Sequence, residues 1–126
     1  MTASNNAPDE IAIRNVIQLY IEGWRGAPDK FHEAFDPDAW IFFTDAEGQE
    51  HKSQLTEQFD KWAATGWQIE GEIISLQRSG DIATVLLRFD NKTRPDASYM
   101  DIHTLLRVDK RWRITNKTAT HISRAS

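Results

Sequence analysis

The sequence predicts an α+β domain in which about three N-terminal helices pack against an antiparallel sheet. Three observations lead there. Up to Gly66 most apolar residues recur at helical steps of three and four, and beyond it they alternate with period two. Helices are thus grouped early and strands late, the order of an α+β fold rather than of repeated βαβ units. Five Trp and six Phe among 126 residues supply enough apolar bulk for a single well-filled core.

The first helix spans about Pro8 to Trp24, because Ile13, Val16, Ile17, Tyr20 and Trp24 fall on one face. Pro8 suits a first turn, where its missing N–H would be unpaired anyway. Asp9 and Glu10 sit where the positive helix end favours them. Gly23 and Gly26 mark the exit. A short helix follows from Pro28 to Phe35, and Pro37 stops it. Ala39 to Asp45 is an aromatic strand, turned by Ala46-Glu47-Gly48. Ser53 is placed to cap a third helix through Leu55, Phe59 and Trp62, ending near Gly66.

Four long strands complete the chain: Trp67 to Leu76, Ile82 to Asp90, Ser98 to Val108 and Trp112 to His121. Arg78-Ser79-Gly80-Asp81 and Asp109-Lys110-Arg111 turn two of the hairpins. No repeat, linker or low-complexity tract interrupts the chain, so residues 1–126 form one domain, with 1–7 expected to be disordered.

Composition excludes several function classes. Without cysteine there is no disulfide framework and no thiolate chemistry. The start lacks a basic segment followed by an apolar run, so no secretory signal is expected, and no apolar stretch is long enough for a membrane span. A cytoplasmic protein without membrane contact follows. Residues 1–87 hold 6 Lys or Arg against 15 Asp or Glu, and residues 88–126 hold 9 against 4, so the chain is acidic in front and basic behind. No aromatic-and-basic motif accompanies the basic part, and no nucleic-acid partner is expected. No glycine-rich phosphate loop, nucleophile elbow or metal-ligand spacing occurs, so neither cofactor nor metal is expected.

In the strand Ile82 to Asp90, Ala83, Val85, Leu87 and Phe89 share one face, while Ile82, Thr84, Leu86 and Arg88 share the other. Both faces carry bulk. Helices cover one, and a second copy of the chain is the expected cover for the other, giving a homodimer through the outer sheet face. In the next strand Met100, Ile102, Thr104, Leu106 and Val108 look like core. That parity turns Asp101 and His103 outward unless a bulge reverses it. After Trp112 and Ile114 the same alternation carries Asn116 inward and Lys117 outward.

Several runs resemble the nuclear transport factor 2-like superfamily over nearly the whole chain. Val16-Ile17-Gln18-Leu19-Tyr20 with Gly23 and Asp29 is similar to its first-helix pattern, and Phe35-Asp36-Pro37-Asp38-Ala39 to its entry into the first strand. Tyr99 to Leu106, followed by Trp112-Arg113-Ile114 and Asn116-Lys117, resembles the SnoaL-like or putative lumazine-binding subgroup. The resemblance implies a cystatin-like roll: a cone of curved sheet, open at one end, where relatives hold ligands and from which they dimerise. It implies no single chemistry, because the superfamily includes isomerases, dehydratases, cyclases and non-catalytic subunits.

It also gives two residues candidate catalytic roles. Tyr20 matches a first-helix tyrosine that donates to a substrate oxygen in isomerase-like relatives; the alternative is a core tyrosine bonded within the protein. Asp45-Ala46-Glu47-Gly48 resembles the segment supplying the general base, given a two-residue insertion in this strand. There, aromatic neighbours would raise its pKa. The alternative is an aspartate that caps its own turn.

Trp24, Trp40, Phe43, Phe59, Trp62, His103 and Asn116 complete the expected ligand contacts, suited to a small apolar or aromatic molecule. The function expected is small-molecule binding, with cofactor-independent isomerase, dehydratase or cyclase chemistry next to a carbonyl. A non-catalytic ligand-binding or accessory homodimeric domain is the alternative.

Overall fold

Helix α1 (Ala7–Trp24) buries Ile13, Val16, Ile17, Tyr20 and Trp24, the stripe its spacing predicts, and Ile21 beside them. The computed structural model describes residues 7–122. The disorder expected for residues 1–7 lies outside the described residues, save Ala7, which opens α1. Gly23 does not mark the helix exit but lies inside α1. A Cβ there would come within 2.5 Å of the Phe31 ring, so glycine lets helix α2 (Pro28–Ala34) press onto α1. The exit falls at Gly26, in the left-handed region with φ of 117°.

Strand β1 (Phe35–Thr44) follows at once, and a turn at Asp45 leads into β2 (Glu50–Gln54). The helix start expected at Ser53 is displaced. Ser53 belongs to β2, and the helix comes later, as a 3-10 turn (Leu55–Glu57) and then α3 (Phe59–Ala64). The run Glu50–Gln54 carries no alternating apolar signal because this edge strand buries neither face deeply. Main-chain pairing with β1, Phe43 opposite His51, holds it in place.

Strands β3 (Ile69–Ser79), β4 (Ile82–Asn91), β5 (Tyr99–Val108) and β6 (Arg111–His121) form an antiparallel meander. Asp109 and Lys110 turn the last hairpin with φ of 52° and 66°, the left-handed pair of a type I′ turn. The sheet order is β2-β1-β6-β5-β4-β3, and β1 runs parallel to β6. The sheet is therefore mixed at one pairing, because the first strand in the chain docks beside the last. Bulges at Ile74 and Thr115 interrupt the register and bend the open sheet around the helices.

The β4 parity holds: Ala83, Val85, Leu87 and Phe89 face the core. The β5 parity does not. Asp101, His103 and Leu105 are fully buried on the inner face, and Ile102 and Leu106 are exposed on the outer one. No helix of the described residues is long and apolar enough to cross a membrane.

Candidate functional site

Register places the site. Lys117 on β6 pairs with Ile41 on β1 and with His103 on β5, and Ala119 pairs with Phe43 and with Asp101. These two rows lie on the inner face at the open end of the sheet. Thr115 is the extra residue of the β6 bulge, since Ile114 pairs with Leu105 and Asn116 with Thr104. It shifts the alternation by one. Trp112 and Ile114 point inward before it, and Lys117 and Ala119 after it. The inward Asn116 and outward Lys117 read from the sequence are thus exchanged.

Above these rows is a hollow of about 200 Å³. Trp24, Ile41, Phe89, Lys117 and Ala119 form its buried floor, and Phe43, Trp62, Trp67 and Tyr99 its walls. Lys61 and Thr65 of the α3 segment stand at the exposed rim. Trp24 is nearly parallel to Trp62 and Trp67, at 4.7 and 5.4 Å between centroids.

Lys117 is only 5% exposed. Its Nζ lies over the rings of Trp62, Tyr20, Trp24 and Phe89, at 4.6, 5.1, 5.7 and 5.8 Å from their centroids. Such faces attract a cation through the ring quadrupole. Among the described residues Nζ has no hydrogen-bond acceptor and no carboxylate within ion-pair distance. Burial holds the amine below the usual lysine range, against the opposing pull of Asp101.

Behind Lys117 is a buried polar network. The Tyr20 hydroxyl donates to Asp101 Oδ2 at 2.9 Å, and His103 Nε2 is 3.3 Å from the same oxygen. Asp101 Oδ1 and His103 Nδ1 are buried without a partner among the described residues. Burial pushes the Asp101 carboxyl up, but Lys117, His103 and Tyr20 together bring it below the ordinary range. Burial also lowers His103, against the nearby carboxylate, and raises the Tyr20 phenol well above its usual value with Asp101 adding to the rise.

The residues singled out from sequence fall in three places. Trp24, Phe43 and Trp62 line the hollow. Tyr20 and His103 lie beneath it, and Phe59 is in the core, stacked on Phe31 and Phe35. Trp40 and Asn116 are on the outer face, sharing a shallow groove with Phe42, Lys52 and Thr115. Asp45 caps its turn: Oδ1 accepts from the N–H groups of Glu47 and Gln49, and Oδ2 is 2.9 Å from His51 Nε2. The raised pKa expected for Asp45 is reversed, because the His51 bond and these N–H groups stabilise the carboxylate. Tyr20 takes Asp101, not Asp45, as its partner.

Sequence reasoning missed Lys117 and Asp101. Parity counted straight through Thr115 hides the first. The second was hidden because the apolar bulk of Ile102 and Leu106 outweighed two polar residues that bond to each other and, through Asp101, to Tyr20. Among the described residues no group of three or more His, Asp or Glu is placed to hold a metal.

A curved six-stranded sheet wrapped on three helices, hollow at its open end, is the nuclear transport factor 2-like arrangement. Solved structures agree. A nuclear transport factor 2-like protein of unknown function from Shewanella baltica is 22% identical, with 98% of this chain and 99% of that chain covered and a TM-score of 0.80. One from Methylobacillus flagellatus is 20% identical over 98% and 96%, with a TM-score of 0.80. A domain of unknown function with a cystatin-like fold from Nostoc punctiforme is 18% identical over 98% and 80%, with a TM-score of 0.70. The chain belongs to the putative lumazine-binding family, which it matches over residues 8–119. No curated protein matches it.

Proposed function

We propose that this domain binds one small, flat molecule in the aromatic hollow and holds an electron-rich oxygen of that molecule against Lys117. The observation that carries the reading is the Lys117 ammonium, which faces the cavity from a residue only 5% exposed and has no hydrogen-bond acceptor among the described residues. Leaving such a group without an acceptor is costly, and a ligand carbonyl or anionic oxygen supplies one. The near-parallel Trp24, Trp62 and Trp67 suit a planar ring. The hollow, about 200 Å³, is below the ~300–1,000 Å³ of ordinary ligand sites, which limits the occupant to one or two rings. The family description names lumazine, a flat bicycle with carbonyl oxygens, and that shape and chemistry fit these features.

Binding needs less of the site than catalysis does. Tyr20, Asp101 and His103 lie behind Lys117 rather than on the wall, so Lys117 is the ionisable group most directly presented to an occupant of the floor. In the catalytic version of the reading, Lys117 polarises a carbonyl and so acidifies the adjacent C–H. Isomerase, dehydratase or cyclase chemistry would then follow, with Asp45 a carboxylate close enough to act electrostatically on Tyr99 of the wall.

Titration with lumazine tests the binding reading through tryptophan fluorescence. Saturable quenching is expected, weakened at least about tenfold, or about 1.4 kcal/mol, in Lys117→Met. Quenching that is equal in the variant would remove the reading. A homodimer through the outer face is supported by exposed Trp40, Phe42, Ile82, Ile102 and Leu106 on that surface. Sedimentation of a monomer at micromolar concentration would exclude it.

A further inference from the structure

We propose that Lys117 is an imine-forming amine, and that the hollow takes an aldehyde or ketone of a small aromatic compound as a covalent ligand. The inference rests on the binding reading above and adds one bond to it.

Of six lysines in the chain, Lys117 alone is buried, and it faces a cavity lined by rings. A structural buried lysine is normally tied to a carboxylate through short hydrogen bonds. Here Asp101 is close enough to act on Lys117 electrostatically but makes no ion pair with it. Four ring faces surround the charge without using its N–H groups. Nζ is therefore held in place while its bonding capacity points at the ligand space. A lysine desolvated in an apolar pocket is a known route to an activated amine nucleophile. Burial acts in the same direction here, favouring the neutral form.

The chemistry balances without a further reagent. The ammonium first releases a proton to solvent water in the hollow, a loss that burial of the amine favours. The amine lone pair then attacks the carbonyl carbon. A C–N bond forms, the C=O π pair moves to oxygen, and a proton shift from nitrogen to oxygen gives the neutral carbinolamine. The borrowed proton returns to the hydroxyl as it leaves as water, and the nitrogen lone pair closes the C=N bond. One ammonium and one carbonyl give one iminium and one water, with no net change in charge. The iminium keeps its positive charge on the same nitrogen, over the same rings and near the same carboxylate. The cage that holds the resting lysine thus also suits the product.

The test uses the full chain, 2-naphthaldehyde as probe and sodium cyanoborohydride to reduce any imine, followed by peptide mapping. The expected result is preferential labelling of Lys117 over the five more exposed lysines, suppressed by excess lumazine. Lys117→Arg keeps the cation but cannot form an imine. It should lose this label. Wild-type labelling spread over surface lysines with Lys117 unmodified, and quenching intact, overturns the covalent step and leaves the binding reading standing. Absence of both label and quenching overturns both. The wild-type map decides the matter even if the variant fails to fold.

Discussion

Asp101 and Lys117 lie diagonally across the β5–β6 pairing, each buried, each bringing a charge the other needs. Asp101 is opposite Ala119 and Lys117 opposite His103, so the two are one inward step apart. Asp101→Asn removes the one carboxylate that, among the described residues, acts on the buried ammonium. Because the two make no contact ion pair, the cost is expected to fall below the about 3–5 kcal/mol of a broken buried salt bridge. The expected result is a loss of stability in urea, and Asp101→Asn combined with Lys117→Met should recover part of it. Additive losses in the double variant would show that the two charges are not coupled.

The same cluster sets the acid limb of stability. The folded pKa of Asp101 lies below its value of about 3.9 in the unfolded chain. Its contribution is therefore complete above that value and disappears as pH falls through the folded pKa. His103 is also depressed, from about 6.5. The unfolded chain then binds the extra proton first, so stability starts to fall as pH drops below about 6.5. Lys117, also lowered by burial, works in the same direction as His103, because the unfolded chain takes up its proton first as pH falls. Urea midpoints should decline from pH 7 to 5, then more steeply below 4. His103→Gln should flatten the first part only.

Much of this fold is written in spacing. The α1 stripe from Ile13 to Trp24 and the β4 alternation from Ala83 to Phe89 each have one face that must be buried, so period alone orients them. Strand β2 carries no such signal, because Glu50–Gln54 is an edge held by main-chain bonds. The direction of β1 beside β6 is equally silent, since pairing partners distant in the chain leave no local mark. The site was legible in Trp24, Phe43, Trp62 and Tyr20. It was illegible at Lys117, where one bulged residue, Thr115, exchanges inside for outside. Turn chemistry explains Asp45: an aspartate followed by Ala46-Glu47-Gly48 is as good a cap as it is a base, and the hydrogen bonds to Glu47 and Gln49 show the cap.

Tyr20→Phe separates the ring of Tyr20 from its hydroxyl. The ring stays in contact with Phe35 and His103, at 5.7 and 4.7 Å between centroids. Only the bond to Asp101 is lost, one made to a charged acceptor and therefore in the range of about 1.5–3 kcal/mol. Denaturation should show that loss at pH 7. It should shrink as pH falls through the lowered folded pKa of Asp101, because the protonated carboxyl no longer needs the donor. A loss independent of pH would place the cost in packing instead.

Gly23→Ala sets two opposed effects against each other. Replacing a helix-interior glycine by alanine favours the helix by about 1 kcal/mol. The new Cβ, however, would stand 2.5 Å from Phe31 Cδ1, and Phe31 is fully buried between Tyr20, Trp24 and Phe59. It cannot swing away without disturbing those rings. Overpacking of this kind costs about 1–3 kcal/mol, so the net expectation is destabilisation of up to about 2 kcal/mol. Because Trp24 also floors the hollow, lumazine quenching should weaken along with stability. Phe31→Leu in the Gly23→Ala background makes room for the methyl and should restore part of both. If Gly23→Ala instead raises the urea midpoint, α2 is free to move off α1, and Gly23 is not what fixes the helix pair at the wall of the site.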